Sequence, residues 1–249
     1  MRKLNKMSTL LLGAMIVAMA GLQPAIAQQD DGKWRHQLTP LYLWAIGIDG
    51  EVGFGPVNAP LTVEFKDALD DLEAVFTIHY EASKANWTIL ADYSYVRLGP
   101  SAQLPNGQSL NVDFKNPLAE IGAAYRFDNS AWELLGGVRY LGMDVTVNLP
   151  NGTNLAKVEE DFVDLFVGGR VTAKLSPKWT FRGRLDVGAG DSDFVGNAAL
   201  LFDWRFGKIT SLLLGYRWLT YDIETGSGLS RFKYDATLQG PLAALTFSW

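Results

Sequence analysis

The chain alternates between apolar and polar residues. From Trp87 to Tyr95, one phase holds Trp87, Ile89, Ala91, Tyr93 and Tyr95, and the other Thr88, Leu90, Asp92 and Ser94. Successive strand side chains point to opposite faces, so this period predicts strands with one oily and one wet side. The split recurs as Leu165, Val167, Gly169 and Val171 against Asp164, Phe166, Gly168, Arg170 and Thr172, and as Ala198, Leu200, Phe202, Trp204 and Phe206 against Asn197, Leu201, Asp203 and Arg205. It restarts after tight polar turns at Lys33-Trp34, Asn86-Trp87, Ala131-Trp132, Lys178-Trp179 and Lys208-Ile209, at spacings of 53, 45, 47 and 30 residues. Each interval accommodates one strand out and one back. Five hairpins predict an all-β, antiparallel up-and-down barrel of ten strands, with eight and twelve as the alternatives.

A soluble sandwich also alternates. Two features favour a closed sheet with its apolar face toward lipid. Large aromatics sit at the ends of the apolar face, where Trp34, Trp87, Trp132, Trp179, Trp204 and Trp249 are expected to mark the membrane interface. The other face mixes charge with Gly and Ala, which suits a narrow interior. Trp87 to Tyr95 rises roughly 27 Å along the strand. A tilt of about 40° reduces this to about 20 Å, near the apolar band of such barrels.

The turns orient the barrel. Connections at 83–86, 128–131, 176–178 and 207–208 are short, as periplasmic turns are. The opposite ends carry Leu104-Pro105-Asn106-Gly107 and Leu149-Pro150-Asn151-Gly152, hairpin signals expected to project at the cell surface because Asn-Gly favours a type I′ turn. The first connection differs. Gly55 to Pro60 reads as a turn, Leu61 to Phe65 as a returning strand, and Lys66 to Glu73 as a short helical interruption.

Residues 1–27 read as a cleaved secretory signal: Arg2, Lys3 and Lys6, an apolar run from Leu10 to Leu22, then Ala25-Ile26-Ala27. The single barrel domain is expected over 28–249. No other uncharged apolar run is long enough for a transmembrane helix. Without the signal, 19 basic face 27 acidic residues, a net charge of −8, which argues against nucleic acid as a partner. The chain has no Cys, hence no disulfide framework.

The ending Leu245-Thr246-Phe247-Ser248-Trp249, with apolar residues at alternate positions before a terminal aromatic, resembles the assembly signal of bacterial outer-membrane barrels. Pro40-Leu41-Tyr42-Leu43-Trp44, Asp92-Tyr93-Ser94-Tyr95-Val96-Arg97-Leu98-Gly99 and Gly215-Tyr216-Arg217-Trp218 are similar to strands of the OmpA-, OmpX- and OmpW-like group. The resemblance implies an outer-membrane location, contact with outer-membrane lipid and lipopolysaccharide, and recognition by the barrel assembly machinery through Leu245, Phe247 and Trp249. Its motifs specify architecture rather than activity.

The inward phase carries the candidate chemistry. Its acids are Glu81, Asp92, Glu120, Glu133, Asp164, Asp186 and Asp203, and its bases Arg126, Arg139, Arg170, Lys174, Arg182, Arg184, Arg205 and Arg217. The near balance favours a plug of paired charges over a path for solutes, since a selective pore shows a surplus of one sign and unpaired ions in a narrow interior are costly. His79 and Glu81 share the inward face; a metal or proton-shuttle role is weighed there against a histidine satisfied by the network. His36 is expected at the near rim on the apolar side. No nucleophile triad, P-loop or zinc motif occurs. The acids at 64, 67, 70, 71 and 73 and the Asp191-Ser192-Asp193 turn read as solvated loops rather than cation sites. No cofactor, catalytic residue or metal ligand is assigned. The expected function is that of a monomeric, non-enzymatic barrel whose surface hairpins bind partners. A narrow channel is the alternative, and an enzyme acting on envelope lipid the third reading.

Overall fold

The structure, a computed structural model, describes residues 32–99, 101–103, 109–128, 130–149, 151 and 153–249. The signal segment at 1–27 and the Leu104–Gly107 turn lie outside these residues, as do Pro150 and Gly152 of the second turn.

Thirteen strands, one α-helix and one 3-10 turn (Gly228–Ser230) are described: β1 (Arg35–Trp44), β2 (Gly47–Phe54), β3 (Val57–Val63), α1 (Phe65–Asp70), β4 (Leu72–Lys84), β5 (Trp87–Leu98), β6 (Ser101–Gln103), β7 (Ser109–Arg126), β8 (Trp132–Asn148), β9 (Asn154–Lys174), β10 (Trp179–Gly190), β11 (Phe194–Arg205), β12 (Thr210–Thr225) and β13 (Phe232–Ser248). Ten of them close the wall in the order β1-β4-β5-β7-β8-β9-β10-β11-β12-β13, with β13 returning to β1. Every neighbour is antiparallel. The chain end makes the seam: His36 and Trp249 exchange backbone hydrogen bonds of 2.8 and 3.0 Å.

This is the up-and-down architecture of a transmembrane barrel. Its near end has short turns. The tightest, Ala85-Asn86, places Ala85 at φ 51°, as a two-residue hairpin requires. Toward the far end the strands lengthen: β9 has 21 residues, about twice what a tilted strand needs to cross a bilayer. The β8–β9 hairpin closes where Leu149 N donates to Thr153 O, wider than a two-residue Asn-Gly turn.

The first connection departs from expectation. The turn is only Gly55-Pro56, and residues 57–60 belong to β3. β2 continues along β13 where β1 stops, and β3 pairs with β2. The helical interruption is α1, after which β4 enters the wall. β1 and β4 pair only from Arg35–Thr39 to His79–Ser83. Above that, Thr77 bridges the strands: its Oγ1 accepts from Tyr42 N (2.7 Å) and donates to Tyr42 O (2.6 Å). Gly240 faces this break. A Cβ there would lie 1.7 Å from the Ala45 carbonyl oxygen, so only glycine lets β13 pass.

In the near part of the barrel the outer face is apolar. Ile121 is 72% and Leu165 68% exposed, while their neighbours Glu120 and Asp164 are each 1% exposed. Farther along the same strands the polarity inverts. On β12 the outward residues change from Leu212, Leu214, Tyr216 and Trp218 to Thr220, Asp222 and Glu224. The buried ones change from Ser211 and Arg217 to Leu219, Tyr221 and Ile223. On β13 the buried Phe232, Tyr234, Ala236 and Leu238 alternate with Lys233, Asp235, Thr237 and Gln239. Trp218 pairs with Gln239 at the level of the inversion. The charged interior does not run the full strand length: the far interior is an apolar core that also includes Leu118, Leu141, Met143, Phe162 and Val195.

Candidate functional site: the charged near lumen

The near lumen is built from inward positions on all ten wall strands. Its deepest layer centres on Glu120. This carboxylate accepts from Arg139 Nε at 2.9 Å and Arg217 Nη2 at 3.2 Å, and lies 2.8 Å from Arg184 Nη2 in an ion pair without hydrogen-bond alignment. Asp186 accepts from Arg139 (2.7 Å), Arg184 (2.6 Å) and Asn197 (2.7 Å), and Asn197 accepts from Arg217 at 3.0 Å. Arg139 is fully buried. Charges this deep persist only when several partners replace water, and a guanidinium has the donors to serve two carboxylates at once.

Aromatic rings complete the layer. Arg139 and Arg184 lie 4.9 and 5.2 Å from the Phe166 ring, and Arg217 lies 4.8 Å from that of Trp44, within cation–π range. Gly122 and Gly137 leave room for Phe166: Cβ atoms there would come within 3.3 and 2.8 Å of its ring.

A second chain of contacts crosses nearer the short turns. Arg126 donates from Nε to Glu133 at 2.9 Å, and Arg170 bridges Glu133 and Glu81. His79 lies between Glu81 (3.3 Å) and Asp92 (2.9 Å), and Asp92 also accepts from the Tyr42 hydroxyl at 2.9 Å. Arg182 donates to Asp203 at 3.0 Å and Gln37 at 2.9 Å. His79 thus has a carboxylate on each ring nitrogen, and the described residues contain no group of His, Asp and Glu arranged to hold a metal ion. Below the Glu120 layer lies a cavity of about 560 Å³ that reaches the β9–β10 turn at Pro177 and Lys178.

The structure brings together His79, Glu81, Asp92, Glu120, Arg126, Glu133, Arg139, Arg170, Arg182, Arg184, Asp186, Asp203 and Arg217 in these two assemblies. It leaves three of the sequence candidates out: Lys174, exposed at the end of β9 with no ion pair among the described residues, Asp164 and Arg205. Asp164 is buried but accepts from Ser192 N (2.9 Å) and Ser192 Oγ (2.8 Å), so it fixes the β10–β11 turn. Arg205 is exposed at the near rim and joins no ion pair among the described residues. The neutral partners Tyr42, Gln37, Asn197 and Trp44 escape a search for charge. Their inward phase is the signal that identifies them. Trp34, Trp87, Trp132, Trp179, Trp204 and Trp249 all have exposed rings, and Trp179 stacks on Trp204 at 6.1 Å. His36 is held between Trp249, 5.6 Å away ring to ring, and the Tyr80 hydroxyl at 2.7 Å.

Between α1 and the break in the wall is a separate apolar recess of about 170 Å³, lined by Leu43, Trp44, Ile46, Leu69, Leu72 and Val96 among others.

No protein-family model matches the chain, and no curated protein does. Among solved structures it is similar to Ail, the attachment invasion locus protein of Yersinia pestis, in complex with sucrose octasulfate, at a TM-score of 0.43 and 9% identity, covering 87% of this chain and 99% of that one. It is also similar to Neisserial surface protein A, at 0.35 and 12% identity over 86% and 96%. The translocator domain of the autotransporter NalP from Neisseria meningitidis gives 0.47 and 13% identity over 96% and 97%. At this similarity, the barrel's own wall and lumen carry the functional reading.

Proposed function

We propose that the protein is an integral outer-membrane barrel of the Gram-negative envelope, exported by residues 1–27, non-enzymatic and closed to solutes. On this reading it is a monomer that acts through the strands and hairpins extending past the bilayer. The observation that carries the reading is the sealed section from the Glu120 layer into the apolar core. Two fillings lie in series: buried ion pairs around Glu120, Arg139 and Asp186, then Leu219, Tyr221, Phe162 and Leu238. A solute would have to break both. The exposed apolar belt, bounded by near-end tryptophans, supports a lipid surround. The outward Leu245, Phe247 and Trp249 suit capture of the closing strand by the assembly machinery. Far of the belt, long polar-faced strands offer edges and loops to an envelope or surface partner.

Planar-bilayer recording of refolded protein tests closure. No unitary conductance is expected. Discrete steps that shift on Arg182→Ala or Arg184→Ala would replace this reading with a channel. The lipid surround has its own test, helped by the absence of Cys. Spin labels on Ile89→Cys and Leu212→Cys should be reached by oxygen and those on Asp222→Cys by a water-soluble relaxant. Water-like behaviour at Ile89 and Leu212 would sink the membrane assignment.

A further inference from the structure

The near-end cavity carries charge that the plug does not use. Nine Lys and Arg side chains line it against three Asp and Glu, in a chain whose overall charge is −5. Adding Asp203, Glu120 and Asp186, which pair with lining arginines from behind, still leaves three positive charges in excess. Arg35, Lys174, Lys178 and Arg205 line the cavity and form no ion pair among the described residues. They come from β1, the end of β9, the β9–β10 turn and the end of β11, so they converge on the mouth from separate parts of the wall. Arg182 lies deeper, and its buried Nε has no hydrogen-bond partner.

The wall is not uniformly polar. Leu201, Leu213, Leu242 and Ala244 form one side, with Tyr42 at its inner end. A volume of about 560 Å³ lies within the usual range of small-molecule pockets; the lining is more charged than is usual for them, with several of its apolar residues gathered on this one side.

We infer that this cavity is a binding site, open at the short-turn end, for an organic anion with a phosphate or carboxylate group on an apolar body. The group would sit among Lys174, Lys178, Arg182 and Arg205, and the body against the leucine side. Arginine matches such oxyanions bidentately, and a low-dielectric wall strengthens the field at the mouth. A soluble metabolite and the head of an anionic lipid at the near rim share this chemistry. The inference needs only the cavity and stands apart from the far hairpins.

The test is titration calorimetry of the full barrel in phosphatidylcholine nanodiscs at low salt, with 1-naphthyl phosphate as the probe. Saturable one-site binding is expected. The Lys174→Gln/Arg205→Gln variant, altered at two exposed positions, should weaken it about tenfold or more, and salt should weaken it further by screening. 1-Naphthylmethylammonium should not bind. Absence of saturable binding, equal affinity in the variant, or equal binding of the cation would overturn the inference. Circular dichroism confirms that the variant folds. Repeating the titration with phosphatidylglycerol in the disc separates the sources: competition indicates a lipid head, and unchanged affinity a soluble anion. Conductance and this titration report on different ends of the lumen, so either can fail alone.

Discussion

The near and far halves of this barrel share one continuous wall and opposite fillings. Near the short turns, Leu212 and Leu214 face outward while Arg217, Glu120 and Asp186 are buried. A few residues along β12, Asp222 and Glu224 face outward while Tyr221 and Ile223 are buried. The backbone ladder passes through the change without a break in register. What changes is the surroundings. Where hydrocarbon meets the wall, apolar side chains lose nothing by facing it, and polar ones turn to the lumen. Where water meets the wall, the hydrophobic effect again favours an apolar interior. On the proposed membrane reading, the inversion beside Trp218 is the expected far boundary of the bilayer, and the long strands beyond it carry a second, water-type core.

Breaking the near filling should have the largest effect. Glu120→Ala strips three arginines of a shared partner and leaves buried charge uncompensated, a loss of about 4 kcal/mol. Denaturant unfolding in micelles would detect it; a change under 1 kcal/mol would mean water already reaches the layer. Breaking the far filling comes next. Leu219→Ala, at a fully buried site, should cost about 3 kcal/mol by lost burial and cavity formation, measured the same way.

The outer faces sharpen the contrast. Leu214→Arg places a charge on the lipid face and should cost about 2 kcal/mol, while Asp222→Arg on the watery part of the same strand should shift the midpoint little. Equal penalties would erase the proposed boundary. The smallest effect belongs to the far tip. Hydrogen bonding from Arg231 holds the Glu224 carboxyl below its usual range. A carboxylate with a lowered folded value stabilises above its unfolded value and loses that contribution as pH falls through the lowered one. Acid titration followed by NMR should therefore show Glu224 titrating low in the native chain and normally in Arg231→Ala, with scarcely any change in global stability.

Much of this was legible in the chain. Trp87 to Tyr95 and Trp179 to Val187 have clean two-fold periods, and both are wall strands with the expected side outward. The near lumen was legible for the same reason: a charge on the inward phase of such a strand has nowhere else to go. Asp164 and Arg205 share that phase, but Asp164 lies in mid-β9 beside the β10–β11 turn, whose Ser192 takes it, and Arg205 ends β11 in open solvent. The far core is less legible: the alternation of Lys233 to Gln239 is present in the sequence with its sense reversed, and a two-fold period by itself does not say which phase turns inward.

Periodicity alone determined the main wall strands and which side chains share a face, because a pleated backbone admits only two phases; it favoured ten strands and left eight and twelve open. Only the folded barrel decided which carboxylate serves which guanidinium, since Arg217 meets Glu120 and Arg170 meets Glu81 across strands far apart in the chain. It also decided that β2 and β3 leave the wall and that the near lumen ends in a cationic cavity. Such pairings depend on closure, which brings distant strands to one level, and no local pattern encodes that distance.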